Sequence, residues 1–284
     1  MKKKMPNHSV LISILLLCLT LLLIFGLSRQ KTVVIKTANL NIHSGPGIDY
    51  PVIDTTKARQ RYHVVGQRND WYRVRITDKK FGWVASWLVN RKKPLQHVTR
   101  LSEATVVIDP GHGGSDSGAE YKNSKNPEYM EKTYTLQLAK KVAMALRMRG
   151  CHVIMTRDND RYVGLKPRPE LAESLHADAF ISFHYDSSPQ RNEGTGITAY
   201  YYHRGKSKQL ASTMSQQFNN LPLTNKGINF GNFLVIRDNT RPAILCEMGY
   251  INTKRDFNHI KSFSYQWKVA NDVVKGLNQY FKEQ

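Results

Sequence analysis

The run Val106-Val107-Ile108, broken at Asp109-Pro110 and followed by Gly111-His112-Gly113-Gly114, constrains the fold of this chain more than any other stretch. An unbroken β-branched run suits a strand covered on both faces, as in a parallel sheet with a helix layer on each side. The glycine-rich turn lets the backbone reverse sharply and leaves open space around one imidazole. Strand and helix then alternate. A helix is expected from Glu131 to Met148, with Leu138, Val142 and Leu146 on one face and Gly150 as its stop. Residues 153–155 read as a strand, 169–176 as a shorter helix, 179–183 as a strand, 197–202 as a strand and 207–218 as a helix. Further strands are expected at 234–236 and 243–245. Trp267, Ala270, Val274, Leu277 and Phe281 recur at spacings of three and four, so the chain ends in an amphipathic helix. This order predicts an α/β domain over residues 105–284, a central, mostly parallel sheet covered by helices.

Residues 30–91 have a different texture. Short alternating segments at 33–35, 40–42, 62–65, 71–75 and 82–84 are separated by turn clusters at Ser44-Gly45-Pro46-Gly47, Asn69-Asp70 and Asp78-Lys79-Lys80. That is the pattern of a small all-β barrel. Trp71, Trp83 and Trp87 either fill its core or form a surface for sugar or peptide. Trp83 is assigned to the core, and both roles stand open for Trp71 and Trp87. Residues 92–104 read as a linker, polar, basic and broken by Pro94.

Residues 1–29 hold Lys2, Lys3 and Lys4 and then an uncharged run from Ser9 to Ser28 rich in Leu and Ile. About twenty helical residues span roughly 30 Å, the thickness of a bilayer's hydrocarbon core. The lysines would keep that end in the cytoplasm. With no small-residue cleavage site after the run, a single-pass transmembrane anchor is expected rather than a cleaved signal peptide. It places the rest of the chain outside the cytoplasm, facing the cell wall. The three cysteines, Cys18, Cys151 and Cys246, offer no disulfide framework and no thiolate metal site. A net charge of +20 favours polyanionic surroundings, wall polymer or lipid head groups, and the anchor excludes nucleic acid as a partner.

His112 follows one strand end, His184 closes the strand at 179–183, Glu131 opens the long helix, and Glu247 ends the last apolar strand. In an open α/β sheet the carboxyl ends of strands converge on one crevice. Two histidines and a carboxylate are the donor set of a catalytic zinc with one position open for water, and a further Glu can serve as base. His112, Glu131 and His184 are therefore the expected Zn2+ ligands and Glu247 the catalytic base. Arg237 has two readings, a transition-state or substrate contact and an ion-pair partner of Asp238 or Asp256. Asp109 is expected to orient a ligand imidazole.

Residues 105–284 resemble the zinc-dependent N-acetylmuramoyl-L-alanine amidases. The resemblance is carried by Asp109-Pro110-Gly111-His112-Gly113-Gly114, Glu131-Lys132, Thr156-Arg157-Asp158 with Arg168, Ser182-Phe183-His184, Leu234-Val235-Ile236-Arg237 and the stretch from Pro242 to Asn252. It departs at Asp186, where the family more often has Asn, and in a long polar loop from Tyr121 to Tyr129. Residues 30–91 resemble bacterial SH3-like domains. The resemblance implies hydrolysis of the amide joining N-acetylmuramic acid to L-Ala of the peptidoglycan stem peptide. With the anchor and a linker of about a dozen residues, which reaches roughly 40 Å, it implies action near the membrane, where an integral-membrane activator could meet the helix. A zinc peptidase cutting within the stem peptide and a catalytically silent wall-binding protein are the alternatives.

Overall fold

The computed structural model describes residues 8–28, 31–122 and 126–284, with the backbone alone for residues 8, 22–28 and 127. Lys2, Lys3, Lys4 and the middle of the polar loop (123–125) lie outside the described residues. Helix α1 (His8–Ser28) contains the N-terminal apolar run. Among the described residues no helix is long and apolar enough to cross a membrane, so the expected span is not established by the structure. The described residues divide into two compact units, one reaching to Pro94 apart from Gly47–Asp49, the other running from Leu95 onward and including Gly47–Asp49.

The first unit contains β1 (Lys31–Val34), β2 (Asn41–His43), β3 (Val52–Thr55), β4 (Arg61–Arg68), β5 (Trp71–Arg75), β6 (Phe81–Ala85) and a short α2 (Ser86–Val89). The strands form one antiparallel sheet in the order β1-β4-β5-β6-β2-β3. Asn69 and Asp70, both at positive φ (49° and 60°), make the two-residue turn between β4 and β5. Their twist matches that of the flanking strands. The tryptophans sort differently from expectation. Trp71 is the buried one, edge-on to His43 at 5.1 Å and to Trp87 at 5.6 Å, whereas Trp83 is only half-buried. Trp71 is covered by the His43 and Trp87 rings, whereas Trp83 stands opposite the exposed Arg73 of β5.

The second unit begins inside the expected linker. Thr99 and Ser102 form a reciprocal cap on α3 (Arg100–Glu103), whose Leu101 is buried. There follow β7 (Thr105–Pro110), α4 (Glu131–Met148), β8 (His152–Met155), α5 (Pro167–Ser174), β9 (Ala179–Asp186), β10 (Ile197–Tyr201), α6 (Lys206–Phe218), β11 (Asn225–Phe230), α7 (Leu234–Arg237), β12 (Ala243–Tyr250), α8 (Lys254–Ile260) and α9 (Phe263–Lys282). The sheet order is β11-β10-β12-β9-β7-β8. β12, β9, β7 and β8 run parallel, β10 runs against β12, and β11 lies parallel to β10. Helices α4, α6 and α9 pack together, with Leu138, Val142, Leu146 and Leu277 fully buried. On the other face Val107, Phe180 and Leu245 pack with Ala172 of α5 and with Val235 and Ile236 of α7.

Residues 234–236 are thus a helical turn and not the expected strand. Three apolar residues cannot separate the two by periodicity, and here burial of Val235 and Ile236 against the sheet is achieved by a helix. The strand in this region is β11, whose sequence, NKGINF, has little apolar signal. β9 and β12 also run past residues 183 and 246, so His184 and Glu247 sit within their strands, near the carboxyl ends.

Candidate active site

Strand register places the catalytic candidates together. Glu247 is the direct partner of His184 across β12 and β9. By two-residue alternation both share the face that carries Phe180 and Leu245. Pro110 pairs with Phe183, and the Gly111 N–H donates to the Phe183 carbonyl at 3.0 Å, so the turn after β7 starts beside His184. The chain then enters the left-handed region at His112, φ 60°. Two glycines are required by close approach. A Cβ on Gly111 would run into the His184 ring, and one on Gly118 would lie 2.6 Å from both Glu131 Oε2 and His112 Cδ2.

Three donor groups meet there. His112 Nε2 lies 3.0 Å from Glu131 Oε2, His184 Nδ1 3.0 Å from Glu131 Oε1, and the two ring nitrogens 3.1 Å from each other. One ligand atom from each residue fits within 4.8 Å of the others. Ligands about 2.0–2.1 Å from a tetrahedral zinc stand roughly 3.3 Å apart, so this spacing and this N,N,O donor set suit Zn2+. Glu131 is 3% exposed, and its oxygens also accept the N–H groups of Tyr185 and Ala119, each at 2.9 Å. Burial opposes its charge, but hydrogen bonds from His112 and His184 outweigh burial and hold the carboxyl well below the usual range. For His112 burial disfavours the cation, yet Glu131 and Asp116 together push its pKa up.

The residue that orients an imidazole is Asp116, whose Oδ2 lies 2.9 Å from His112 Nδ1 while its Oδ1 accepts the Gly118 N–H at 3.1 Å. Asp109, expected in that role, is fully buried and accepts the hydroxyls of Thr156 (2.6 Å) and Ser182 (2.7 Å) and an N–H of Arg168 (2.8 Å). Its register with Ser182, two residues before His184, sets it deeper in the sheet than the ligand groups. The sequence offered one cue to Asp116, a carboxylate four residues after a histidine in a tight turn.

Glu247 is wired quite differently. Its Oε2 is buried and, among the described residues, has no hydrogen-bond partner. Burial, reinforced by the charges of Glu131 and Asp186, raises its carboxyl well above the ordinary range. Asp186 finds its partner in Tyr250, its register neighbour, whose hydroxyl also accepts from Lys226 Nζ at 3.1 Å. Burial and Asp186 push the Tyr250 phenol up to about 12. Arg237 ends α7, with Nε 2.7 Å from Asp238 Oδ1 and NH1 3.2 Å from Asn232 Oδ1. Of its two expected partners it takes Asp238. Asp256 instead accepts from the Thr195 hydroxyl and the backbone N–H groups of Gly196 and Tyr250.

Such a donor set at the carboxyl edge of an α/β sheet belongs with the metal-dependent hydrolases. Residues 106–279 match N-acetylmuramoyl-L-alanine amidase, residues 38–90 match the bacterial SH3 domain, and the chain belongs to the N-acetylmuramoyl-L-alanine amidase family. It is 33% identical to the probable cell wall amidase LytH of Staphylococcus saprophyticus, with 99% of this chain and 96% of that protein covered. Identity to LytH of Staphylococcus aureus is also 33%, with the same coverage of 99% and 96%. Among solved structures, an N-acetylmuramoyl-L-alanine amidase from Clostridium difficile 630 is 36% identical with a TM-score of 0.60, covering 64% of this chain and 98% of that one. The catalytic domain of CwlV from Bacillus (Paenibacillus) polymyxa gives 36% and 0.59, covering 64% and 99%. The protein is therefore a peptidoglycan-hydrolysing amidase, and the readings as a stem-peptide peptidase or a silent wall-binding protein gain no support from these relatives.

Proposed function

We propose that this amidase holds Zn2+ on His112, Glu131 and His184 and uses Glu247 as its base. The convergence of three donors on one point, with Glu247 in register beside them, carries this reading. The ion would lower the pKa of water and polarise the scissile carbonyl. Glu247 Oε2, buried and without a partner, takes the proton from that water and returns it to the departing nitrogen of L-Ala. Its environment suits both acts, since a carboxylate away from water and facing other carboxylates has a high proton affinity. Where a cation neutralises Glu131, part of that repulsion disappears and Glu247 ionises at lower pH. Asp116 keeps the His112 imidazole turned toward the site throughout. The test is metal content together with the product released from purified cell wall. An intact stem peptide with a free L-Ala amine and stoichiometric zinc are expected; products cut inside the peptide would refute the assignment.

The N-terminal run supports a second element of the proposal, that the enzyme is tethered to the membrane with its catalytic unit facing the wall. Ser9 to Ser28 carry no charge and follow three lysines, which favours an anchored segment. The tether would restrict hydrolysis to strands near the membrane and leave the helix able to contact an integral-membrane activator. Exchange of the segment for a cleavable signal peptide, at matched expression, should reduce or redistribute stem-peptide removal in cells. Unchanged amount and location would remove the tether from the account.

A further inference from the structure

Arg157 is fully buried on the second unit, yet every acceptor it meets is a neutral oxygen. Burial together with the neighbouring Arg168 charge lowers its pKa to about 10, and the nearby charges of Asp109 and Asp160 offset this only in part. A guanidinium is rarely placed this way, because a buried cation without a carboxylate is costly unless its N–H groups are saturated. Here each of its three nitrogens has an acceptor, and the identity of the acceptors is informative.

Most of the acceptors fall on two segments far apart in sequence. Nε donates to the Pro110 carbonyl at 3.0 Å, and NH2 to the Gly111 carbonyl at 2.8 Å, the peptide oxygen immediately before His112. The same NH2 donates to the Lys132 carbonyl at 2.9 Å, immediately after Glu131, and lies 3.0 Å from the Thr135 hydroxyl one turn further into α4. Thr135 Oγ1 closes the loop by donating to the Gly111 carbonyl at 2.8 Å. NH1 reaches the Asn159 carbonyl at 3.2 Å and so ties the fork to the chain after β8. Arg168 completes the support from beneath, with contacts to the Pro110 carbonyl at 2.9 Å and the His112 carbonyl at 3.0 Å.

We propose that Arg157 is a positioning residue that joins the turn carrying His112 to the helix start carrying Glu131, and so fixes the separation of these two metal-ligand groups. The planar fork is essential to the role. Bridging three carbonyls, a hydroxyl and a third segment in fixed directions needs the forked donors of a guanidinium, and an ammonium on a flexible stem cannot reproduce it. His112 has the greater need of such support, since a non-glycine residue at φ 60° is held there by its neighbours. Arg157 touches no substrate in this account and acts only through the two ligands. The inference rests on the reading of His112, Glu131 and His184 as the metal site.

The test compares zinc affinity, by chelator competition on the full chain, for the wild type, Arg157→Lys and Thr135→Val, with the thermal midpoint of each metal-free protein and the visible spectrum of each Co2+ form. Thr135→Val deletes one hydroxyl from the same bridge with little change in shape, so it remains informative where Arg157→Lys fails to fold. Zinc affinity should fall about tenfold to a hundredfold in Arg157→Lys, the range for groups that orient metal ligands, and severalfold in Thr135→Val. The Co2+ spectra should shift in both. Variants that lose thermal stability but bind zinc as the wild type does, with an unaltered Co2+ spectrum, would make Arg157 a purely structural residue and overturn the proposal. Wild-type protein that binds no zinc would instead overturn the underlying metal-site reading, which His184→Ala tests independently.

Discussion

The two sides of the catalytic crevice are built by opposite rules. On one side, His112 and Glu131 have nearly every polar atom assigned: His112 Nδ1 to Asp116, the Glu131 oxygens to backbone N–H groups of Ala119 and Tyr185, and the flanking carbonyls to Arg157. On the other, Glu247 has a buried oxygen with no partner among the described residues; Arg237, at the end of α7, lies in the open with Asp238. Groups that must hold a fixed geometry are over-determined by hydrogen bonds. A group that must exchange a proton is left with an unsatisfied atom, a cost that a stable fold tolerates at a working site.

The largest effect expected from breaking this arrangement comes from the metal-ligand groups, of which His184 joins the two sides, meeting Glu131 at 3.0 Å and pairing with Glu247 across the strands. His184→Ala should remove most bound zinc and abolish hydrolysis, because a two-ligand site loses affinity steeply. Full activity with stoichiometric metal in the purified variant would disprove the ligand set. On the other side, Glu247→Gln keeps the shape and removes the proton acceptor. It should retain zinc and the thermal midpoint while hydrolysis falls about a hundredfold to ten-thousandfold, the usual contribution of acid–base catalysis. A loss of about tenfold or less, with metal intact, would move the base to another residue. Next in size is Asp116→Ala, which frees the His112 ring without touching a ligand. Zinc affinity should drop about tenfold to a hundredfold, and added zinc should restore much of the activity. Affinity equal to the wild type would show that the turn alone orients the ring.

The same division explains what could be read in the sequence. Helix α4 was legible over its whole length, because Leu138, Val142 and Leu146 mark its buried stripe and Gly150, at φ 91°, ends it. His112, Glu131, His184 and Glu247 were legible because strand ends in a parallel sheet converge. Asp116 and Arg157 were not assigned their roles, since both act through distances that depend on how the turn folds back. β11 and α7 were interchanged in effect: the strand lacks an apolar pattern, and the helical turn has one too short to show its period. Trp71 and Trp83 each sit in a short strand segment, and only the packing of His43 and Trp87 against Trp71 reveals which ring lies inside.

Arg237 gives the smallest expected effect and the sharpest check on the contrast between the two sides. Its guanidinium is exposed, its hydrogen bonds go to Asp238 and Asn232, and Asp238 raises its pKa further, so its charge is permanent. Loss of the side chain leaves Asp238 in solvent and no buried charge behind, so the fold should be unaffected. An exposed cation already paired to a neighbouring carboxylate is poorly prepared to stabilise an oxyanion, which requires donors fixed in advance in a dry site. Arg237→Ala should therefore leave kcat within about threefold of the wild type, with any change appearing in KM through long-range attraction for an anionic substrate. That attraction would weaken with added salt. A kcat loss of about a hundredfold or more, at unchanged metal content, is the size expected for a lost oxyanion donor. It would show that Arg237 leaves Asp238 when substrate binds, and that the less constrained side of the crevice assembles only around the reacting amide.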